Sequence, residues 1–323
     1  MKKRSGSITG FSAVQEKEFM MGNMAAGNPV PVFANMDFWT QAVEQHPEFF
    51  ARVGRLQDAV RSIVDPVYEG LDGGQQMQMN MLMLTAIGVA EIVTLVGNGM
   101  GHGAMKIVRG VMENAINMEY MRQFPDQAEK YLEWQWVEQH KLHKHLEESS
   151  PALHAEIPQE KRDSDEAEYQ RVRPLFQYQV QTSTGGTKTK MQDGWCREDL
   201  FHRAERVGLA QSYRTVMPSA NQILHGTISG WIRDLDEVTR RIEYPPTHKW
   251  GGEALIAAHM ALIQAIETAS LALNATPTPS LDTLKEDFQA AWGENPPKIS
   301  EGAEHAETAS NPIEDDEDGE ESE

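Results

Sequence analysis

Residues 76–97, QMQMNMLMLTAIGVAEIVTLVG, are the stretch that decides the fold. Its most apolar part, Met81 to Gly97, is shorter than the roughly 20 apolar residues that a membrane-spanning helix needs. The carboxylate of Glu91 lies near its middle, where a charge in a bilayer would be costly. The stretch therefore predicts a helix in a protein core, and we expect no membrane partner.

Helical patterns continue on both sides of this stretch. Pro47 stands where a first helical position is expected, and EFFARVGRLQDAVRSIV follows it with a repeating apolar face. Further helices are predicted at 103–123, 163–180 and 212–243, where Pro218 is a possible start. No stretch both alternates apolar and polar residues over strand length and lies between turn signals, so we expect no sheet. The Gly- and Thr-rich segment 181–194, QTSTGGTKTKMQDG, is predicted to be a loop.

These patterns predict an all-α fold, a single multi-helix bundle with terminal segments outside it. Residues 1–35 lack periodicity and are predicted to be a flexible leader. The bundle domain is predicted over 37–275, followed by a C-terminal helix at 276–295 with Ser280 as its N-cap. Residues 296–323 are predicted to be a disordered acidic tail.

The charge of the chain is concentrated at its C-terminal end. The net charge is −20, and residues 301–323 hold eleven acidic residues without Lys or Arg, which leaves −9 on the rest (−20 plus 11). An acidic body excludes broad, non-specific nucleic-acid binding but allows a local basic groove. The tail itself could solvate the protein, bind a basic partner, or compete with nucleic acid for such a groove.

The single cysteine and the N-terminal segment indicate the cellular compartment. Cys196 is the one cysteine, so the chain cannot form an internal disulfide, which fits a reducing compartment. The N-terminal MKKRSGSITGFSAVQEKEF has a basic start without an apolar segment after it, unlike a secretory signal peptide. The sequence therefore predicts a cytoplasmic protein.

Two segments resemble a known family. They are HGAMKIVRGVMENAINMEYM at 102–121 and WCREDLFHRAERVGLAQSYRTVMPSANQILHGTISGW at 195–231. Together they resemble the bacterial helical family called domain of unknown function 5677, over roughly residues 80–245. The positions that match the family pattern are Arg109, Glu113, Trp195, Val207, Gly208, Tyr213, His225, Gly226 and Thr227.

The resemblance implies a helical fold and brings no activity with it. Its pattern has an aromatic residue and a serine between the tyrosine and the histidine, where this chain has Met217 and Asn221. A role that needs an aromatic ring or a hydroxyl at those two positions is therefore not expected here.

Six residues are candidates for a functional site. The catalytic candidates are His225, Arg109 and Glu113, and the binding candidates are Tyr213, Asn221 and Trp195. A histidine can act as acid or base near neutral pH, and an arginine can stabilise a phosphoryl charge. The plainer alternatives are a hydrogen-bonded structural histidine and a solvated helix ion pair, since Arg109 and Glu113 are four residues apart.

A second cluster has the spacing of half a metal site. His140, His143 and Glu147 would share one helix face, but no Glu-x-x-His pair supplies a second half. We therefore expect no metal and no cofactor.

Two functions remain open. One is a non-enzymatic interaction or regulatory module whose partner is a protein. The alternative is an RNase-like, phosphodiester-cleaving enzyme in a defence or toxin context, by analogy with the HEPN-type ribonucleases, in which Arg and His lie four to six residues apart. Here Arg214 lies eleven positions before His225. We further expect helix 103–123 to pack against helix 212–243, with Arg109, Glu113 and His225 facing a shared polar region.

Overall fold

A computed structural model describes residues 36–182, 185–227 and 247–293. The predicted leader and acidic tail lie outside the described residues. The all-α fold is confirmed, apart from one two-stranded ribbon. The helices are α1 (Met36–Gln45), α2 (Pro47–Val64), α3 (Gly73–Gly97), α4 (Gly101–Gln123), α5 (Pro125–Ser149), α6 (Pro151–Glu156), α7 (Gln159–Val172), α8 (Leu200–Arg206), α9 (Ala210–Leu224), α10 (Gly251–Leu273) and α11 (Leu281–Trp292).

The helix α10 is the centre of the bundle. It packs most extensively against α4 and α3, and 16 of its 23 residues are buried, whereas Leu271 near its end is exposed. Its fully buried positions are mostly alanines, whose small side chains let neighbouring helices approach closely. These alanines are Ala254, Ala257, Ala258, Ala261, Ala265 and Ala269.

The helix α3 contains the apolar stretch that opened the sequence, and it is buried on only one face. Leu82 and Ile92 are fully buried in the shared core. On the opposite face Met83, Leu84 and Ile87 are 44%, 58% and 53% exposed. The predicted core helix is therefore confirmed for one side, while the other side is an apolar surface.

Two of the described helices, α3 and α10, are long and apolar enough to cross a membrane by length and composition alone. The apolar window of α10 is 78% buried inside the protein, and that of α3 is 39% buried. A core helix passes the same test, so the pattern is weak evidence for a membrane span.

Several helix boundaries follow from local sequence. Pro47 is the first residue of α2, as predicted, and its fixed φ suits that position. Asp72 caps α3 by accepting from the Gln75 backbone N–H at 2.8 Å. Ser280 caps α11 as predicted, accepting from the Thr283 backbone N–H at 3.3 Å.

The helix α11 packs against α2 and α10, and Leu284 is fully buried in the main core. Trp292 Nε1 donates to His259 Nδ1 on α10 at 3.0 Å. Burial lowers the pKa of His259 to about 4, so its ring is neutral at pH 7 and can accept this bond. The division between a bundle domain and a separate C-terminal helix stays a prediction.

The expectation of no sheet is wrong. Strands β1 (Gln177–Gln181) and β2 (Thr187–Met191) pair antiparallel, where the sequence predicted the end of a helix and a loop. The helix α7 ends at Val172. Gln177–Gln181 alternates polar and apolar residues, and the β-branched residues on both sides of Gly185 and Gly186 favour a hairpin.

The predicted helix 212–243 is wrong in its boundaries. The helix α9 begins earlier, contains Pro218 in its interior, and ends at Leu224. A turn follows in which Gly226 has φ +59°, a left-handed conformation that glycine adopts without strain. Residues 228–246 lie outside the described part. The predicted packing against 103–123 is confirmed for the described helices, since α9 packs on α4.

Two glycines of α4 predict opposite effects on stability. A Cβ on Gly101 would collide with the Lys249 carbonyl oxygen and lie 2.7 Å from the Gly251 nitrogen, whereas a Cβ on Gly110 would meet nothing within 4 Å. Gly101→Ala should lower the free energy of unfolding by about 1–3 kcal/mol because backbone atoms must shift. Gly110→Ala should raise it by about 0.5–1 kcal/mol. Urea denaturation measures both, and equal effects would contradict the proposed close approach.

Candidate functional site

Arg109 and Asn221 join α4 to α9. Arg109 Nε donates to Asn221 Oδ1 at 2.8 Å, and Arg109 Nη1 lies 3.7 Å from Glu113 Oε2. The Arg109 and Glu113 side chains are 37% and 34% exposed. The Arg109–Glu113 pair is therefore neither a fully solvated helix ion pair nor a pair sealed in the core.

Lys106, Arg109, Glu113 and Asn117 form a polar stripe on α4 that becomes more buried toward the C-terminal end of the helix. Lys106 is exposed, whereas Asn117 is 4% exposed. Asn117 Oδ1 accepts a short hydrogen bond from Nη1 of Arg203 on α8. Burial lowers the pKa of Arg203, while nearby groups including Glu113 act in the opposite direction. A buried guanidinium needs such a partner, so the Asn117–Arg203 pair ties α8 to α4.

Trp195 is a half-buried aromatic platform beside this pair. The Arg203 guanidinium lies 4.9 Å from the centre of a Trp195 ring. The rings of Tyr131 and Tyr120 approach Trp195 edge-on, at 5.2 and 6.0 Å between centroids. Such aromatic contacts hold Trp195 in place and occupy its surface. Trp195 therefore lies among protein side chains rather than on an open face.

Tyr213 lies near the Arg109–Glu113 pair. Burial raises the pKa of its hydroxyl, with smaller contributions from the charges of Asp199 and Glu113, and Arg109 acts in the opposite direction. Its ring also lies 5.3 Å from the ring of Phe201 on α8. The fold therefore brings Tyr213 into the electrostatic neighbourhood of the candidates on α4.

His225 is exposed and follows the last residue of α9. Its backbone N–H donates to the Asn221 carbonyl oxygen at 2.9 Å, which is a helix-end contact. Among the described residues, nothing hydrogen-bonds to its ring. The expectation that His225 shares a polar region with Arg109 stays a prediction.

The two positions that depart from the family pattern have different surroundings. Met217 is 1% exposed and belongs to the main core. Asn221 instead supplies the side-chain oxygen Oδ1 that accepts from Arg109. The amide is therefore part of the polar contact between α4 and α9.

The sequence did not single out Arg203. Its partner Asn117 is 86 positions earlier in the chain, so no local spacing joins them. The local signal that did exist is Asp199, whose carboxylate caps α8 by accepting from the His202 backbone N–H at 2.8 Å. That cap predicts a helix start, but it does not reveal what Arg203 contacts.

The histidine cluster on α5 contacts carboxylates of α7. His140 Nδ1 lies 2.9 Å from Glu166 Oε2, and His143 Nε2 lies 3.0 Å from Asp165 Oδ2. Glu147 is exposed. No group of three or more His, Cys, Asp and Glu side chains within the described ranges could hold a metal ion. The expectation of no metal and no cofactor remains a prediction.

The arrangement at α4, α8 and α9 satisfies polar groups at a packed interface. Asn117 and Arg203 form its buried end, and Arg109 with Asn221 form its half-exposed end. The exposed part of Arg109 can attract an anion, since a guanidinium keeps its charge at every physiological pH.

Comparison with known proteins confirms the resemblance found in the sequence. Residues 88–241 match the family of unknown function DUF5677. The match includes the candidate residues on α4 and α9, and it assigns them no role. No curated protein and no solved structure matches the chain.

We predict that the Arg109–Asn221 contact stabilises the fold more than the Arg109–Glu113 pair. Asn221→Ala should lower the free energy of unfolding by about 1–2 kcal/mol, because a charge-assisted hydrogen bond is lost. Glu113→Gln should cost less than about 0.5 kcal/mol, because partly exposed ion pairs contribute little. Urea denaturation measures both, with Lys106→Ala as the control. The reverse order would show that the ion pair is the main contact.

Proposed function

We propose that the protein is a helical interaction module that associates with a second copy of itself through the outer face of α3. The observation that carries this proposal is the exposure of Met83, Leu84 and Ile87, each more than two-fifths open, on one face of one helix. Clustered apolar side chains of this size on a surface are typical of an interaction site.

The spacing on this face supports packing of two helices along each other. Asn80, Leu84, Ile87 and Glu91 are all exposed and follow one another at steps of four, three and four residues. Such steps keep side chains on one stripe of a helix, as in the seam of a coiled coil. The apolar pair is central and the polar pair lies outside it, which is the arrangement of an interface core with its rim.

Charge favours a second copy as the occupant. The chain has a net charge of −20, yet Glu91 is the only charged residue in α3. Two copies of an acidic protein repel each other least where each surface is uncharged. The outer face of α3 therefore combines apolar contact with low repulsion.

An antiparallel arrangement matches the residues on the stripe. A two-fold axis between residues 85 and 86 places Leu84 opposite Ile87 of the partner subunit and Asn80 opposite Glu91 of the partner subunit. Asn80 Oδ1 accepts from Gln76 Nε2 at 3.2 Å, and Asn80 Nδ2 is a donor for a carboxylate. A parallel pair would instead set the two Glu91 carboxylates against each other.

We predict that Leu84→Glu separates the two copies. A carboxylate in the central apolar pair should raise the dissociation constant at least about tenfold, which is about 1.4 kcal/mol. Sedimentation velocity and light scattering over a concentration series measure it. Leu153→Glu is the matched control, because Leu153 is 54% exposed on α6, away from the α3 face. Wild-type protein that stays monomeric throughout, or a dimer unaffected by Leu84→Glu, would overturn the proposal.

The orientation has its own test. Asn80→Lys should tighten the antiparallel dimer, because the new ammonium would face Glu91 of the partner subunit, and salt should reduce the gain. In a parallel dimer the same substitution would set two ammonium groups against each other and weaken the association. Tightening therefore supports the antiparallel pair, and weakening overturns it.

The second candidate function is phosphodiester cleavage of RNA. It is favoured by the partly exposed guanidinium of Arg109, which donates to Asn221 on α9. The same helix α9 ends just before His225, which is exposed. Arginine can stabilise a phosphoryl charge and histidine can move a proton.

RNA cleavage predicts a specific pattern in cells. If the protein cleaves RNA, sequencing of RNA ends after induced expression should show new ends for wild type that disappear in His225→Ala and Arg109→Ala. His145→Ala is the matched control, since His145 is also exposed but lies on α5. RNA ends that are the same for wild type and His225→Ala would remove this candidate.

A further inference from the structure

The β-hairpin carries a basic face. In the register of β1 and β2, Tyr178 pairs with Lys190 and Val180 with Lys188. Paired residues of an antiparallel ribbon point to the same side, and alternate residues share a face. Lys188, Lys190, Tyr178 and Val180 therefore lie on one face. The Arg197 guanidinium adds a third cation there, 4.8 Å from the centre of the Tyr178 ring.

This basic face has no acidic counterpart in the described part of the chain. None of the ion pairs between described residues includes Lys188, Lys190 or Arg197, and both lysines are exposed. The sequence from Gln170 to Gln192 holds no Asp or Glu, whereas Asp193 follows it and Glu198, next to Arg197, is paired with Arg206. In a chain with a net charge of −20, this is a concentrated positive surface that attracts anions.

The same chain contains the complementary charge. Eight of the ten residues from Glu314 to Glu323 are acidic, and none is basic. The 21 positions from Gly293 to Glu314 can span up to about 70 Å of extended chain. A tethered segment meets its target at a high effective concentration, about millimolar for flexible connections. It therefore has an advantage over any acidic partner that must arrive from solution.

Geometry and charge favour this segment over nucleic acid. Lys188 and Lys190 are two residues apart on a strand, about 6.7 Å along its axis, and an extended acidic segment presents every second carboxylate at the same spacing. The net charge of the protein repels a phosphate backbone at long range, whereas the acidic segment is already part of the chain.

We propose that the acidic segment Glu314–Glu323 docks on the basic hairpin face formed by Lys188, Lys190 and Arg197. The contact is electrostatic and reversible, and it screens the hairpin from other anions. Such a contact weakens as salt rises, because screening makes the attraction between exposed charges short-ranged.

Zero-length carbodiimide cross-linking of the full chain tests the proposal. The reagent joins a carboxylate to an amine in direct contact, and mass spectrometry identifies the joined peptides. At about 0.01 M salt we expect the acidic segment to be joined mainly to Lys188 and Lys190, and the yield to fall at least about fivefold at about 1 M salt. Lys106 and Lys144 are the internal controls, since both are exposed on other helices.

Two further measurements test whether the contact lies within one chain and whether it depends on the acidic residues. Mixing ¹⁵N-labelled and unlabelled protein separates contacts within one chain from contacts between copies, and the proposal requires contacts within one chain. Asn and Gln replacements of the five acidic residues in Glu314–Asp318 should abolish the cross-links to the hairpin. Cross-links spread evenly over all four lysines would overturn the proposal.

Nucleic acid is the competing occupant. In fluorescence anisotropy, a short single-stranded RNA should bind the wild-type chain weakly. It should bind at least about tenfold more tightly when the acidic residues of Glu314–Asp318 are neutralised. Adding Lys188→Ala and Lys190→Ala to that variant should remove the gain. RNA binding to the hairpin that is equally tight with and without these acidic residues would assign the face to nucleic acid and overturn the proposal.

Discussion

The bundle depends on the burial of most of one helix. The helix α10 has alanines at many of its fully buried positions, and α3 and α4 cover most of its surface. Two of its buried polar side chains have partners on neighbouring helices, while the Nε2 atom of His259 is buried without a hydrogen-bond partner among the described residues. Thr268 Oγ1 donates to Glu119 Oε2 on α4 at 2.9 Å, and His259 accepts from Trp292 on α11. An unpaired group at such depth would cost about 1–3 kcal/mol.

Polar contacts set the relative positions of the helices that surround this centre. Glu119 is held by two hydrogen bonds from Arg122, which together with Thr268 lower the pKa of its carboxyl although burial opposes the shift. Farther out, Arg203 and Arg109 bind asparagines on neighbouring helices. Because hydrogen bonds are directional while apolar contact is not, these pairs fix orientations that packing alone leaves open.

The two proposed interaction surfaces lie on different elements and have opposite character. The outer face of α3 is apolar at its centre and has Glu91 as its one charged residue, so it suits contact with another apolar surface. The hairpin face is cationic, so it suits carboxylates or phosphates. The two proposals therefore assign two kinds of recognition to separate surfaces of one acidic chain. The polar cluster at α4 and α9 contributes to stability whichever function the protein has.

The sequence by itself determined the all-α class, the helix starts at Pro47 and Ser280, and the Arg109–Glu113 helix pair, because these depend on neighbours a few positions apart. It also determined that residues 76–97 form a helix, but not that one face of it is exposed. Only the tertiary structure decided that α10 is the centre and that Arg203 meets Asn117 across 86 positions. Periodicity shows which face of a helix is apolar, whereas the partner that covers that face is chosen by packing between segments far apart in the chain.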